Sequence, residues 1–374
     1  MVHKMKQRIS YVRPSITKLE IDMVTEAATF GWGERSDFYI RNFENSFAER
    51  IGSKYAIATS SCTGALHLGL AAIDITHGDE VILADSNWIA TMAPINYLGA
   101  RPIFVDVLKD TWCIDPSQVR SKITKKTKAI IATHLYGNLC EMDELIDIAN
   151  EHNLYLIEDS AEAIGSKFKG KYAGSLADFG VFSFHGSKTI TTGEGGMLTT
   201  NNTELAQTVR ALNNHGRLTT EVRQFWPSRI GYKYKITNIQ AAIGCAQMAR
   251  FDELIERKKQ IFDYYKNSLE EFVEVSLNVV QENCKSGYWM PNALFSTESG
   301  LTRERLSQLF LEANIDARVF FWPLSQLGFY ESVTNPVASD ISNRSINLPS
   351  YHDMTQSDQE RVLDVIRSAV KEKM

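Results

Sequence analysis

Cysteine is scarce in this chain, and none of the five sits at a spacing that metal or disulfide chemistry uses. Cys62, Cys113, Cys140, Cys245 and Cys284 form no Cys-x-x-Cys pair and no zinc-ligand pattern. That argues against a disulfide framework and against any metal site. A basic excess is missing too: 40 Lys and Arg stand against 45 Asp and Glu, a net charge of −5, so no nucleic-acid partner is expected. The lysine-rich stretch 122–128 reads as a solvated loop before a strand. No apolar run approaches the ~20 residues of a membrane span. The opening Met-Val-His-Lys-Met-Lys-Gln-Arg has no apolar segment behind it of the kind a secretory signal needs. These absences fit a reduced, cytoplasmic protein without a membrane partner.

Several catalytic motifs are also absent. The turn after the first predicted strand lacks Gly-x-Gly-x-x-Gly, and Gly193-Glu194-Gly195-Gly196 lies between two strands with no helix after it, which disfavours a dinucleotide site. No P-loop, nucleophile elbow or His-Glu-x-x-His pair occurs.

What is present is an α/β rhythm. A chain of 374 residues fits about two domains. Between residues 55 and 200, strand candidates at 55–59, 80–84, 101–107, 128–133, 154–159, 180–184 and 196–200 alternate with helices near 63–73, 89–98 and 141–151. The strands are continuously apolar rather than alternating, so the pattern predicts a largely parallel sheet buried on both faces. Beyond residue 200 come a helix at 203–213, a polar and aromatic loop, and one long helix over 238–272. A smaller α+β unit follows, with strands at 288–295 and 317–322 and helices at 302–313 and 356–371. No repeat, low-complexity tract or Pro-rich linker separates the parts, so packed domains are expected.

Ligands of open α/β sheets gather at the carboxyl ends of the strands, and four features fall there. Lys188 follows the strand 180–184; a buried lysine at such a place is a candidate Schiff-base nucleophile, and an exposed charge is the plainer alternative. Ser60-Ser61-Cys62-Thr63-Gly64 opens a helix, where free N–H groups suit a phosphate, although an ordinary N-cap explains it equally well. Asp159 ends a strand; it is either a helix cap or a carboxylate able to hold a pyridinium N–H. Trp88 either stacks on an aromatic ligand or belongs to a core or interface.

Together these segments resemble the pyridoxal-phosphate sugar aminotransferases of the DegT/StrS type. The resemblance rests on Lys188 with Asp159-Ser-Ala-Glu162, the Ser-Cys-Thr-Gly-Ala-Leu-His-Leu turn, and the string Gly231-Tyr-Lys-Tyr-Lys-Ile-Thr-Asn-Ile-Gln-Ala-Ala-Ile-Gly244. It runs from Gly31-Trp32 to Asn347-Leu348-Pro349. Tyr136-Gly137 and Lys-Thr-Ile-Thr-Thr-Gly-Glu-Gly-Gly place the chain nearest the perosamine-synthase-like group, which aminates C-4 of 4-keto-6-deoxy nucleotide sugars. The resemblance implies an aspartate aminotransferase fold, with a large pyridoxal 5′-phosphate domain over residues 1–250 and a smaller α+β domain over 251–374. It implies that Lys188 carries the cofactor and shuttles the proton, while Asp159 pairs with the ring nitrogen. Glu162 stands near the ring hydroxyl and Trp88 stacks on the ring. Ser61, Cys62, Thr63 and Ser183 hold the phosphate, helped by Lys233 and Asn238 from the 231–238 loop of a second subunit. Glu34, Arg35, His185 and Arg318 face the substrate, although His185 can equally be a packed or solvated histidine.

The implied reaction takes an amino group from L-glutamate, releases 2-oxoglutarate through the pyridoxamine form, and delivers the amine to a keto nucleotide sugar. The product would be a 4-amino-4,6-dideoxy sugar for surface polysaccharide of the O-antigen type, made by a homodimer. Two alternatives are a 3-dehydratase of the same family, which has histidine where Lys188 stands, and a non-catalytic cofactor-binding sensor. Three departures from the family pattern bear on substrate more than on chemistry. Cys62 replaces a glycine, Lys233 and Lys235 replace asparagine and arginine, and Gly33-Glu34-Arg35-Ser36 replaces an Ile-Ser-Ser-Lys type loop.

Overall fold

Seven strands build the central sheet: β1 (Tyr55–Thr59), β2 (Glu80–Ala84), β3 (Arg101–Val105), β4 (Thr127–Thr133), β5 (Tyr155–Asp159), β6 (Phe179–Ser183) and β7 (Gly196–Thr200). The computed structural model describes residues 7–371 apart from 219 and 331–332. The sheet order is β1-β7-β6-β5-β4-β2-β3. From β6 to β3 every neighbour pair is parallel, while β7 runs antiparallel to both β1 and β6. Every residue of β2, β6 and β7 is buried, because helices cover both faces and continuous apolar runs can then be sequestered from water.

The covering helices have identifiable starts and stops. Lys18–Phe30 opens on a capping box of Thr17 and Glu20, and Phe38–Ile51 stops at Gly52 in the left-handed conformation. Cys62–Ala72 begins at Ser61, whose hydroxyl oxygen accepts from the Gly64 N–H at 3.0 Å. This helix start sits hard against the first residue of β7. A Cβ on Gly196 would lie 2.4–2.5 Å from backbone atoms of Ser61 and Cys62, so only glycine lets the strand and the turn approach.

The long helix expected over 238–272 is two helices, Asn238–Ala249 and Phe251–Leu269. Arg250 interrupts them at φ −106°, ψ 14°. Its guanidinium is bound to the buried Glu20 (2.9 Å), to Glu253 (2.8 Å) and to Ser15 O (3.1 Å), and these tertiary bonds replace helical continuity.

A second, antiparallel sheet collects Val275–Ser276, Asn292–Phe295, Ser345–Asn347 and Arg318–Val319, in that order. Its core of Phe262, Tyr265, Phe295, Leu306, Phe310 and Ile366 is supplied partly by helices Phe251–Leu269, Arg303–Glu312 and Gln356–Lys371. Two carboxylates just past the ends of β2 and β3 bring this half back onto the first sheet. Asp85, wholly buried, accepts from Ser325 N (2.8 Å), Ser325 Oγ (2.7 Å) and Asn335 Nδ2 (2.9 Å). Asp106 caps the helix Pro336–Asn343 through Val337 N and Ala338 N. Asp85→Ala strands three buried donors, and we expect it to cost about 3 kcal/mol of stability, read as a lowered denaturant midpoint. An unchanged midpoint would show that Asp85 does not dock the two halves.

Candidate active site

The carboxyl ends of β1, β2, β4, β5 and β6 open on the same edge as the start of β7, since Gly196 pairs with both Thr59 and Ser183. On this edge Asp159, the last residue of β5, is buried. Its Oδ2 accepts from Thr91 Oγ1 at 2.6 Å and its Oδ1 from Ala161 N at 3.1 Å. Thr91 Oγ1 also lies 3.0 Å from Asn87 Oδ1, and Asn87 Nδ2 donates to Thr133 Oγ1 at 2.8 Å. No helix follows Asp159, so the capping alternative does not apply, and the network fixes the carboxylate at the edge. Behind it Glu158 is fully buried and accepts from Gly174 N, Leu176 N and Ala177 N. His134 Nδ1 accepts from Cys140 N, which leaves Nε2 to donate to Glu158 Oε2 at 3.0 Å.

Lys188 lies in the turn after β6, its N–H bonded to His185 O. Only 11% of the side chain is exposed, and Nζ sits 3.2 Å from Glu162 Oε1. The Trp289 ring lies on another side, its centroid 3.5 Å from Nζ. Glu162 is buried, and its second oxygen accepts from Tyr136 N at 2.9 Å. Burial pushes the Glu162 carboxyl up, with the Lys188 charge opposing. Tyr136 holds φ 54°, ψ 22°, a left-handed conformation that costs a non-glycine residue roughly 1–3 kcal/mol. Besides the bond to Glu162, its hydroxyl accepts from Asn347 Nδ2 (3.2 Å) and Phe321 N (3.3 Å), and its ring stacks between Trp289 and Phe321. Lys258 is buried close by. It donates to Trp289 O (3.0 Å) and Ser350 O (2.7 Å), and burial with the Lys188 charge lowers its pKa to about 7.

The helix start at Ser61-Cys62-Thr63 faces the same place. The Cys62 thiol is pushed well up by burial and by Asp159, with Lys188 opposing, so it stays neutral in the field of both groups. The first-turn N–H groups of Cys62 and Thr63 have no intrahelical acceptor. Ser183, at the end of β6, is buried, and its Oγ accepts from His185 N at 3.4 Å. The 231–238 segment runs along this turn in its own chain: Tyr234 O accepts from Ser60 N, and Thr59 bridges to Lys235.

The other predicted residues lie further out. Trp88 precedes the helix Ile89–Tyr97, is 57% exposed, and has one ring neighbour, Phe321, at 5.8 Å. His185 is exposed, and its Nδ1 accepts from Ser187 N. Glu34 and Arg35 are exposed in the short turn Gly33–Arg35, with Arg35 paired to Glu26. Arg318 pairs with Asp316 and approaches the Tyr11 ring. The Tyr11 hydroxyl is pushed up by burial and by the Glu162 charge, with Arg318 opposing. Lys233 is exposed. Asn238 is engaged within its own chain: Oδ1 accepts from Tyr39 N, and Nδ2 donates to Gly31 O and Arg35 O. It therefore clamps the segment carrying Glu34 and Arg35.

The profile of the DegT/DnrJ/EryC1/StrS aminotransferase family matches residues 14–367. The chain belongs to this family. A GDP-perosamine synthase of Escherichia coli O157:H7 is 42% identical, covering 92% of this chain and 93% of that protein. A second GDP-perosamine synthase, from Vibrio cholerae, is 35% identical over 96% of this chain and 98% of its own. A Streptococcus pneumoniae protein provisionally described as a sugar aminotransferase has been solved in PLP and PMP forms. The PLP form superposes with a TM-score of 0.90 at 26% identity, covering 98% of this chain and all of that one.

The protein is thus a pyridoxal-phosphate-dependent transaminase with the α/β fold of its family, and its own residues fit that cofactor. The amine of Lys188 and a fixed carboxylate, Asp159, share an edge with a helix start whose free N–H groups suit a phosphate, while the neighbouring Lys258 amine is tied to the carbonyls of Trp289 and Ser350. The family resemblance had pointed to Lys188, Asp159, Glu162 and the Cys62 turn. Reading the sequence assigned no role to Thr91, Trp289 or Lys258. Thr91 lies three residues after Trp88, a helical spacing that could have drawn notice; Trp289, 101 positions from Lys188, has no local signal.

Proposed function

We propose that the protein transfers the amino group of L-glutamate to the C-4 ketone of a GDP-linked 4-keto-6-deoxy sugar, supplying a 4-amino-4,6-dideoxy sugar to surface polysaccharide. The observation that carries this is the reactive edge itself, the largely shielded Lys188 between Glu162 and Trp289 with Asp159 fixed by Thr91. The GDP-perosamine synthase relatives supply the sugar and nucleotide. Pyridoxal phosphate, when bound, supplies the electron sink. Lys188 Nζ carries the cofactor and moves the proton, acting as nucleophile and then as general acid–base. The Asp159 carboxylate, one oxygen held by Thr91, accepts the ring N–H. Glu162 would face the ring hydroxyl, and Trp88 would stack on the ring. Ser61, Cys62, Thr63 and Ser183 bind the phosphate, the hydroxyl of Ser61 keeping a proton to donate while its oxygen caps Gly64. Glu34, Arg35, His185 and Arg318 line the approach of the sugar nucleotide.

The same reading makes the protein a cytoplasmic homodimer whose Lys233 reaches the partner's phosphate site. Five apolar side chains support an interface: Leu218, Val222, Phe225, Trp226 and Ile230 are all exposed, Val222 and Ile230 by more than 90%. Such a patch marks association. Asn238 supports the site by shaping the 31–35 segment rather than by touching phosphate. The domains meet at Arg250, residues 1–250 carrying the cofactor and 251–374 forming the smaller part.

Spectrophotometry tests the reaction. The absorbance of the lysine-bound cofactor should vanish on adding L-glutamate and return on adding GDP-4-keto-6-deoxymannose, with dTDP and UDP sugars much slower. Failure of glutamate to bleach the band would overturn the donor. Recovery with every nucleotide alike, or only with 3-keto sugars, would overturn the acceptor.

A further inference from the structure

We propose that Trp289 is the positioning residue for Lys188, holding the amine beside Glu162 whenever it is not joined to the cofactor. The inference rests on the reading of Lys188 as the cofactor-carrying residue. A lysine ammonium on a four-carbon stem has several rotatable bonds and a large rotamer entropy, so a free Lys188 needs something to define where Nζ rests. Glu162 supplies one contact at 3.2 Å, and a single ion pair leaves the stem free to pivot. The face of Trp289 supplies the second at 3.5 Å from ring centroid to Nζ, well inside the range of a cation–π contact.

Trp289 is itself held at three points. Its indole N–H donates to Ser187 O at 2.9 Å, the carbonyl immediately before Lys188. Its own carbonyl accepts from Lys258 Nζ at 3.0 Å, and Lys258 is anchored in turn by Ser350 O at 2.7 Å. Its ring stacks on Tyr136 with an interplanar angle of 20°, and Tyr136 N donates to the other oxygen of Glu162. The indole thus fixes the backbone that leads into Lys188, the surface on which the ammonium rests and, through Tyr136, the carboxylate that faces it. Trp289 is 5% exposed, so the contact is shielded from water and stronger than a surface one.

The experiment compares Trp289→Leu and Trp289→Phe with the wild-type full-length protein, each stripped of cofactor and shown by thermal melting to be folded. Brief acylation of the cofactor-free proteins, followed by mass spectrometry of the Lys188 peptide, reads how tightly the amine is held. Re-addition of pyridoxal phosphate, followed by absorbance, reads how fast Lys188 captures it. Trp289→Leu should raise Lys188 acylation and slow capture, each by roughly tenfold. Trp289→Phe keeps a ring face while losing the Ser187 bond, and should restore both readouts to within about threefold of wild type. Unchanged acylation in the Leu variant would overturn the proposal. So would equal damage by Leu and Phe, which would make the indole a structural prop. If Trp289→Leu does not stay folded, the Phe variant and Lys258→Met decide: wild-type acylation in Phe with raised acylation in Met supports the proposal, and the reverse overturns it. Acylation is read without cofactor or substrate. A wild-type protein in which Lys188 never captures pyridoxal phosphate would therefore refute the functional reading and not be confused with this one.

Discussion

Lys188→Ala should lower turnover with L-glutamate and keto sugar by on the order of 10⁴-fold, because the proposed reaction makes one side chain both the nucleophile and the proton carrier. Loss of a cation beside Glu162 is a separate effect and must be controlled. Glu162 is buried, its carboxyl already pushed up by burial with Lys188 opposing, so the alanine variant leaves an acid that takes up a proton more readily. Lys188→Arg separates the two. Arginine keeps a charge next to Glu162, but its guanidinium does not deprotonate to attack a carbonyl. The expected result is equal loss of turnover in both variants, with Arg melting closer to wild type than Ala. Steady-state assay with thermal melting checks it; measurable turnover in Lys188→Arg at more than a few per cent of wild type would remove the nucleophilic role.

The route from residues to this site was legible where the chemistry is local. Strands β1, β2 and β7 match the predicted bounds because each centres on a short apolar run (Ala56–Ala58, Val81–Ala84 and Met197–Leu198) bounded by polar residues or glycine. Lys188, Asp159 and the Ser61 turn each had an ordinary structural explanation, and they stood out because all three fall at the carboxyl ends of strands, where ligands of open α/β sheets gather. The Ser61 cap is observed as such, with Gly64 as donor, so the ordinary reading and the phosphate reading coexist in one turn. Long-range pairing was not legible. The break at Arg250 depends on Glu20 and Ser15, more than 200 residues away. Asp85 reads as a plain loop residue until Ser325 and Asn335 fold onto it. Helices Lys18–Phe30 and Phe38–Ile51 went unassigned, and the first presents Ile21 and Leu19 to the exterior, which blurs its amphipathic stripe. Asn238 sits in a string shared with the family, yet its three amide bonds run to residues 31, 35 and 39, a use that no local pattern announces.

Asp159→Asn should lower kcat by about 10²–10³-fold, the magnitude typical of removing one preorganised charge from a developing charge, while leaving the fold intact. The substitution preserves shape. An amide oxygen can still accept from Thr91 Oγ1 or Ala161 N, the two bonds that now hold the carboxylate at 2.6 and 3.1 Å. What is lost is the negative charge at the end of β5, and with it the group that the proposed reaction uses to hold a proton on the ring nitrogen. The electron sink depends on that proton, so the defect should appear in the step that withdraws the substrate proton and not in cofactor capture by Lys188. Stopped-flow absorbance distinguishes these: capture near the wild-type rate, glutamate-driven bleaching slowed by the same factor as kcat. Slowed capture with normal bleaching would make Asp159 a structural anchor of the Thr91–Asn87–Thr133 network, and the charge at the strand end would then need another explanation. Thr91 touches the same carboxylate through a single hydroxyl, so its effect on bleaching should be the smaller one. A neutral hydrogen bond orients the carboxylate, whereas only the carboxylate carries the charge.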